Sequence, residues 1–339
     1  MTDIPEIWPY LRSLRSDPEA CPPEPVERKL VMNASLEQAE QLFKASSMLG
    51  RETLPLTLFY GLSQLGRAIS ATTRLEANWE LFGHGISTRD LRGKVADMVV
   101  FDKGKNGSFA ILSETLGSPT LGRGVRMGDL CATLVELQTM PLDPAAERGG
   151  LIIRPGFYTP SGDYSAHPLA VGYGLAEAII RGIPASLLDG EDPTAQVKSV
   201  LQHYPTLRDA VLPSPLYVEK LPNNRMDLRL AWVVDSSLSS NPAARRQYIF
   251  EKGHNYRFKN DYTVAYPAFE DATIHPFMVW WAILFGLSML ARYEPAAWVR
   301  ALNVDSSTEA VALEYLLNQA KVAVPEAAYR LIGEHTGWK

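Results

Sequence analysis

Cysteine is nearly absent from this sequence. Cys21 and Cys131 are the two in 339 residues, and they lie too far apart to share a metal-ligand spacing. A disulfide scaffold and a cysteine-based zinc site are therefore not expected, and a reducing cytoplasm is the expected setting. Positive charge is not in excess: 33 Lys and Arg stand against 38 Asp and Glu, a net charge of −5. That excludes a broadly basic nucleic-acid-binding surface but leaves room for a local basic groove. The start, MTDIPEIWPYLRSLRSDPEA, has no basic stretch followed by an apolar run, so it does not read as a signal peptide. HExxH, CxxC and EF-hand patterns are missing, and neither a metal nor a cofactor is expected. Gly122 to Gly128, GRGVRMG, resembles a phosphate loop but has neither Walker A nor G-x-G-x-x-G spacing, and reads as a turn. Disorder is excluded by composition: 46% apolar and 21% charged residues are close to the globular average.

Long apolar runs are also rare, with one exception: HPFMVWWAILFGLSMLARYEP, His275 to Pro295. Its uncharged centre, Phe277 to Ala291, is 15 residues, about 22 Å of helix. A bilayer core needs about 30 Å, so a buried core helix is expected and no membrane partner. Pro276 suits the first helical turn, Arg292 complements the C-terminal dipole, and Pro295 is a stop.

The rest of the chain reads as helices, then strands, then helices. Ser35 and Gln38 form a capping-box pattern before LEQAEQLFKASSMLG, and Glu40 and Lys44 form an i,i+4 pair. Pro55 opens LPLTLFYGLSQLGRAISATTR, apolar around most of its circumference, and two antiparallel helices are expected. ADMVVFDKGKNGSFAILSE predicts a hairpin around Lys-Asn-Gly. GVRM predicts a strand, with Asp129 capping a short helix. LIIRPGFY predicts a strand, Ala166 to Arg181 a helix, and PTAQVKSVLQHY another. LYVEKL, MDLRLAWVVD, RQYIF, YRF and DYTVAYPAF predict strands, MDLRLAWVVD alternating as a sheet with one covered face should. The C-terminal helices are the long apolar run, AAWVRAL, SSTEAVALEYLLNQAKVAV (capped by Ser306 or Ser307, with Glu309 near N3) and PEAAYRLIGEH. The expected fold class is α+β: a mainly helical body formed by the N- and C-terminal helices, with a β-rich insertion in the middle. The expected parts are 1–84, 85–269 and 270–339.

Several residues are candidates for binding. His84 stands between two glycines in GHGI, where a ligand can approach closely, although a helix cap and tight turn explain the glycines as well. His275 heads the apolar helix and either caps it or, with the first-turn N–H groups, receives an anion. Arg292 and Tyr293 close the same helix; Arg292 satisfies terminal carbonyls, pairs with Glu294 or reaches into a cleft. Arg67 lies in an otherwise apolar helix and, if buried, needs a partner. Asp163, Ser165 and His167 contain the residue types of a nucleophilic triad but no G-x-S-x-G elbow, so hydrolase chemistry is not expected.

At HPFMVWWAILFGLSMLARYEPAAW the chain resembles the bacterial YaaC-like protein family, which carries a similar His-Pro, apolar helix, Leu-Ser-Met-Leu, Arg-Tyr-x-Pro and Trp pattern. The tryptophan-led start IWPYLRSLRS, LFYGLSQLGRAI and GHGI are similar too. That family has no assigned activity, so the resemblance implies a fold and no catalytic residues. The paired helices also resemble HEPN domains, which include RNases with an Arg, four to six residues, then His. Arg330-LIGE-His335 fits that spacing. As a catalytic pair, Arg330 would hold a phosphate and His335 would act as acid or base; the plainer reading is a surface pair near a chain end. Two functions follow: a cytoplasmic, non-enzymatic interaction or regulatory protein with a protein partner or as a homo-oligomer, or a HEPN-like RNase or RNA-binding effector of phage defence. The second expects Arg67, Arg292 or Arg330 to converge with a histidine.

Overall fold

A computed structural model describes residues 7–336 except 75, 77, 105, 147, 157–173, 222–223, 254–262 and 270–271, and leaves the side chains of 334–336 undescribed. The chain divides into two compact units, Met1–Glu147 with Ile274–Lys339, and Arg148–Thr273. The first begins with α1 (Ile7–Ser13), α2 (Glu27–Ser46), α3 (Leu54–Thr73), β1 (Ile86–Arg89), β2 (Val99–Asp102), α4 (Ser108–Thr115), β3 (Val125–Arg126) and α5 (Met127–Thr133). The second contains β4 (Leu151–Pro155), β5 (Gly174–Pro184), α6 (Pro193–Leu201), β6 (Val218–Lys220), β7 (Arg225–Val234), α7 (Ser236–Ser240), α8 (Pro242–Lys252), β8 (Thr263–Ala265), β9 (Ala268–Phe269) and β10 (Ala272–Thr273). The first unit then resumes with α9 (Pro276–Tyr293), α10 (Pro295–Ala301) and α11 (Ala310–Thr336). The fold is α+β, as expected.

The apolar run is α9, and it is the core of the first unit. From Pro276 to Ala291 every residue except Met289 is buried. Close packing fixes it on both sides. A Cβ at Gly66 of α3 would stand 2.3 Å from the Trp281 ring. A Cβ at Gly286 would meet Met127 Cε at 2.6 Å and Met98 Cε at 3.0 Å. The small sheet β1-β2-β3 and α5 therefore rest on α9 itself. That is why residues 86–146 fall in the helical unit, and why the expected boundary at residue 85 lies inside it. Full burial of a large apolar side chain is worth ~1.5–3 kcal/mol, so these contacts hold the small sheet to α9.

In the second unit the strand order is β6-β7-β5-β4-β8, antiparallel throughout. MDLRLAWVVD forms β7 with the expected covered face: Met226, Leu228, Leu230 and Trp232 join Ala176, Ala178 and Ile180 of β5 in one core, closed by Val197 and Leu201 of α6 and Ile249 of α8. On β5 and β7, Arg181 and Asp227 are cross-strand partners joined by a 2.7 Å ion pair.

Several local expectations are corrected. Ser35 is an interior residue of α2, which begins at Glu27, so it caps nothing. SFAILSE is helical, as α4, and β2 pairs with β1 and β3 instead of a hairpin partner. The described part of Ala166 to Arg181 belongs to β5, because pairing with β7 from Gly174 to Pro184 outweighs the helix propensity of LAEAII. RQYIF lies in helix α8, whose N-cap Asn241 accepts from the Ala243 and Ala244 N–H groups. YRF lies outside the described residues. Asp129 is inside the first turn of α5, not its cap. The last two expected helices are one, α11, continuous through Pro325. Glu309 does not close a capping box. Its buried carboxylate reaches a different segment, accepting the Val95 and Ala96 N–H groups at 2.9 and 2.8 Å.

Candidate functional site

Helical spacing and one tight loop bring three of the candidate residues together. On α3, Tyr60 and Arg67 are seven apart and share a face. On α9, Phe285 and Arg292 are also seven apart. The helices run antiparallel: the Phe59 ring lies 5.4 Å from Phe285, whereas Gly66 meets Trp281 four residues earlier on α9. Between them stands His84. Its ring centroid is 5.3 Å from Phe59 and 5.5 Å from Phe285. Arg67 therefore lies beyond Phe59 toward one end of the helix pair and Arg292 beyond Phe285 toward the other, and the charges of both act on His84.

The loop that delivers His84 requires its glycines. Gly83 and Gly85 have φ of +62° and +76°, where a side chain is strained. Gly85 also crosses Gly107 so closely that a Cβ on Gly107 would lie 2.1 Å from the Gly85 Cα. Two backbone hydrogen bonds hold the crossing: Phe109 N–H donates to the His84 carbonyl at 3.1 Å and Lys103 N–H to the Gly85 carbonyl at 2.9 Å. His84 is thus fixed through its backbone while its residue surface stays exposed.

The electrostatics follow from this placement. One side of the imidazole lies on two phenylalanine rings, and that desolvation lowers its pKa below the ordinary histidine value. The positive charges of Arg292 and then Arg67 lower it further. The neutral form of His84 is favoured accordingly. Arg67 is exposed, which corrects the expectation of a buried arginine on α3. Among the described residues of the first unit, the buried arginines are Arg28 and Arg74. Arg28 donates to the Ala71 and Arg74 carbonyls at the end of α3, and Arg74 pairs with Glu114 at 2.9 Å. Arg292 is exposed as well and does not pair with Glu294, whose carboxylate takes Arg92 at 3.0 Å. Its guanidinium lies 5.0 Å from the Tyr293 ring centroid. Among the described residues, neither Arg67 nor Arg292 has a carboxylate within ion-pair distance.

The other candidates fall elsewhere. His275 is the N-cap of α9: its Nδ1 accepts from Phe277 N–H at 3.1 Å, and its own N–H donates to Ser118 Oγ at 3.0 Å. Capping is its observed role. Arg330 is half-buried on α11 and engaged. The side chain of His335 lies outside the described residues, as do Asp163, Ser165 and His167. Among the described residues no three His, Cys, Asp or Glu side chains are grouped to hold a metal.

Sequence reasoning missed the aromatic surroundings. Phe59 and Phe285 form the floor under His84, and Tyr60, Phe82 and Tyr293 stand 45%, 68% and 55% exposed. The signal was present in the seven-residue spacings Tyr60–Arg67 and Phe285–Arg292, but joining them required the helix pairing.

A family model described as YaaC-like protein matches residues 24–332. The chain belongs to the YaaC-like family. No curated protein and no solved structure matches it. The matched range contains α3, the His84 loop and α9 whole, so membership extends well beyond the C-terminal pattern that first suggested it. It includes Arg67, His84, His275, Arg292, Tyr293 and Arg330, and ends before His335. It adds nothing to the HEPN resemblance.

Proposed function

We propose that this YaaC-like protein is a non-enzymatic, cytoplasmic interaction protein that takes a phosphate-bearing ligand at Arg67, His84 and Arg292. The observation that carries this reading is the pair of exposed arginines, without carboxylate partners among the described residues, on either side of a histidine. Two like charges flanking one histidine without counter-ions favour an anionic ligand between them. Guanidinium groups match phosphate oxygens with two parallel N–H donors. A neutral imidazole between them supplies one further donor, and becomes a cation if the ligand raises its pKa.

Cleavage of a phosphodiester is the second reading, and one observation favours it: a neutral histidine beside two arginines has the charge state of a general base. A catalytic base is usually oriented by a third group, and among the described residues no hydrogen bond reaches the His84 ring. Binding is therefore the better account.

Calorimetric titration with sodium pyrophosphate tests it. The full chain is expected to bind one equivalent, and Arg67→Ala and Arg292→Ala each to weaken binding about tenfold, the lower end of the ~1.5–3 kcal/mol typical of a charged hydrogen bond. Absence of binding, or binding indifferent to both variants, overturns the reading. RNA cleavage that disappears in His84→Ala would replace it with the catalytic one.

A further inference from the structure

We infer that the ligand is a single-stranded nucleic acid, with phosphates on Arg67 and Arg292 and a base stacked on Phe82. This rests on the phosphate-binding reading and goes further by naming the ligand class. Three observations carry it.

The first is the separation of the charges. Because α3 and α9 are antiparallel, Arg67 and Arg292 come to His84 from opposite directions. A single phosphate would be gripped by arginines converging on one point. Arginines on two sides of a histidine suit a ligand with successive anionic groups along its length.

The second is the company these cations keep. Phe82, two residues before His84, is 68% exposed, and Tyr293, adjoining Arg292, is 55% exposed. Tyr60, on the Arg67 face of α3, is 45% exposed. Exposed aromatics on the same elements and loop as these arginines and His84, with Tyr293 directly against Arg292, match what a single strand offers: a charged backbone and flat, apolar bases on the same chain. A duplex hides its base faces and would leave these rings in water. An acidic peptide would meet the charges but not the rings.

The third is rigidity. Tyr60, Phe59, His84 and Phe285 form a continuous ring network, with centroid distances of 5.9, 5.3 and 5.5 Å along it. Gly85 and Gly107 cross directly behind. The surface is preorganised, so little ordering opposes binding. All of these residues lie in the first compact unit, and the chain's net charge of −5 confines attraction for a polyanion to such a local patch.

Fluorescence anisotropy with the full chain and labelled mixed-sequence 12-nucleotide probes tests this. The arms are single-stranded RNA, single-stranded DNA and the matching duplex, with pyrophosphate as a competitor. Wild type is expected to bind a single strand on the order of tenfold more tightly than the duplex. Phe82→Ala should erase that preference, since one stacked base contributes about that factor, while leaving pyrophosphate binding unchanged. Arg67→Ala and Arg292→Ala should weaken every arm, each lowering the slope of log affinity against log salt by about 0.7 for a single strand. The RNA and DNA arms identify the sugar. Duplex binding equal to or tighter than single-strand binding overturns the inference, and so does single-strand binding unaffected by Phe82→Ala. Pyrophosphate binding without oligonucleotide binding overturns the inference alone and leaves the phosphate site standing. Failure to bind either probe overturns both.

Discussion

The two ends of α9 carry similar-looking polar residues and differ in what those residues have left to offer. At the N-terminus, the His275 Nδ1 accepts from Phe277 N–H, and the His275 backbone N–H donates to Ser118 Oγ. At the C-terminus, Arg292 is exposed, lies over Tyr293, and has no carboxylate partner among the described residues. Both were candidates for a binding site. A cap commits an acceptor of the side chain that forms it, here His275 Nδ1, whereas a cation in the last turn keeps its donors. The difference teaches that polarity at a helix end identifies a site only after its local partners have been counted.

The helix between the ends gives the largest effect. Trp281 is fully buried, with ring contacts to Phe59 and Phe277 and a close approach to Gly66. Trp281→Ala should destabilise the chain by about 3–5 kcal/mol in a urea melt and disturb both ends together. Gly107→Ala comes next. The added methyl would collide with Gly85, with an expected loss of about 1–3 kcal/mol. It should also displace His84, weakening pyrophosphate binding although no charge is changed.

The paired variants His275→Ala and Arg292→Ala put the comparison itself to the test. Loss of the cap should lower stability by about 1 kcal/mol with pyrophosphate affinity intact. Loss of Arg292 should leave stability within about 0.5 kcal/mol and reduce affinity about tenfold. If His275→Ala is the variant that loses affinity, the two ends have been assigned the wrong way round.

The smallest expected effect is on pH dependence. The folded pKa of His84 lies below its unfolded value, so between the two the unfolded chain binds more protons and stability falls as the pH drops below about 6.5. Desolvation against Phe59 and Phe285 is the main cause, followed by the charges of Arg292 from α9 and Arg67 from α3. His84→Gln should flatten that part of a melting-temperature profile against pH. An unchanged slope would mean that His84 titrates normally.

Much of the helical unit was legible in the sequence because its signals are local. Pro276, the uncharged core and Arg292 bounded α9 correctly, and Pro55 opened α3. The errors occur where distant contacts decide. LAEAII has a good helical composition, but as part of β5 it pairs along β7. Pro325 suggested a break, yet α11 continues through it. Arg67 drew attention as a charge in an apolar helix, but the α3 surface on which it stands is open, and the buried arginines of the first unit, Arg28 and Arg74, carried no pattern to mark them. Two of the three residues proposed for the site belong to separate helices, and the third, His84, reaches them only because Gly85 and Gly107 permit the crossing. Neither relation is local, so neither could be read from spacing.

Whether Arg67, His84 and Arg292 act together as a receptor for phosphate groups is read out by an NMR titration of the His84 imidazole with and without sodium pyrophosphate. The free chain should show a pKa below the ordinary histidine value, raised when pyrophosphate offsets the two arginines, with the rise reduced in Arg67→Ala and in Arg292→Ala. A His84 pKa that starts at the ordinary value, or that does not move with pyrophosphate, would contradict that joint role.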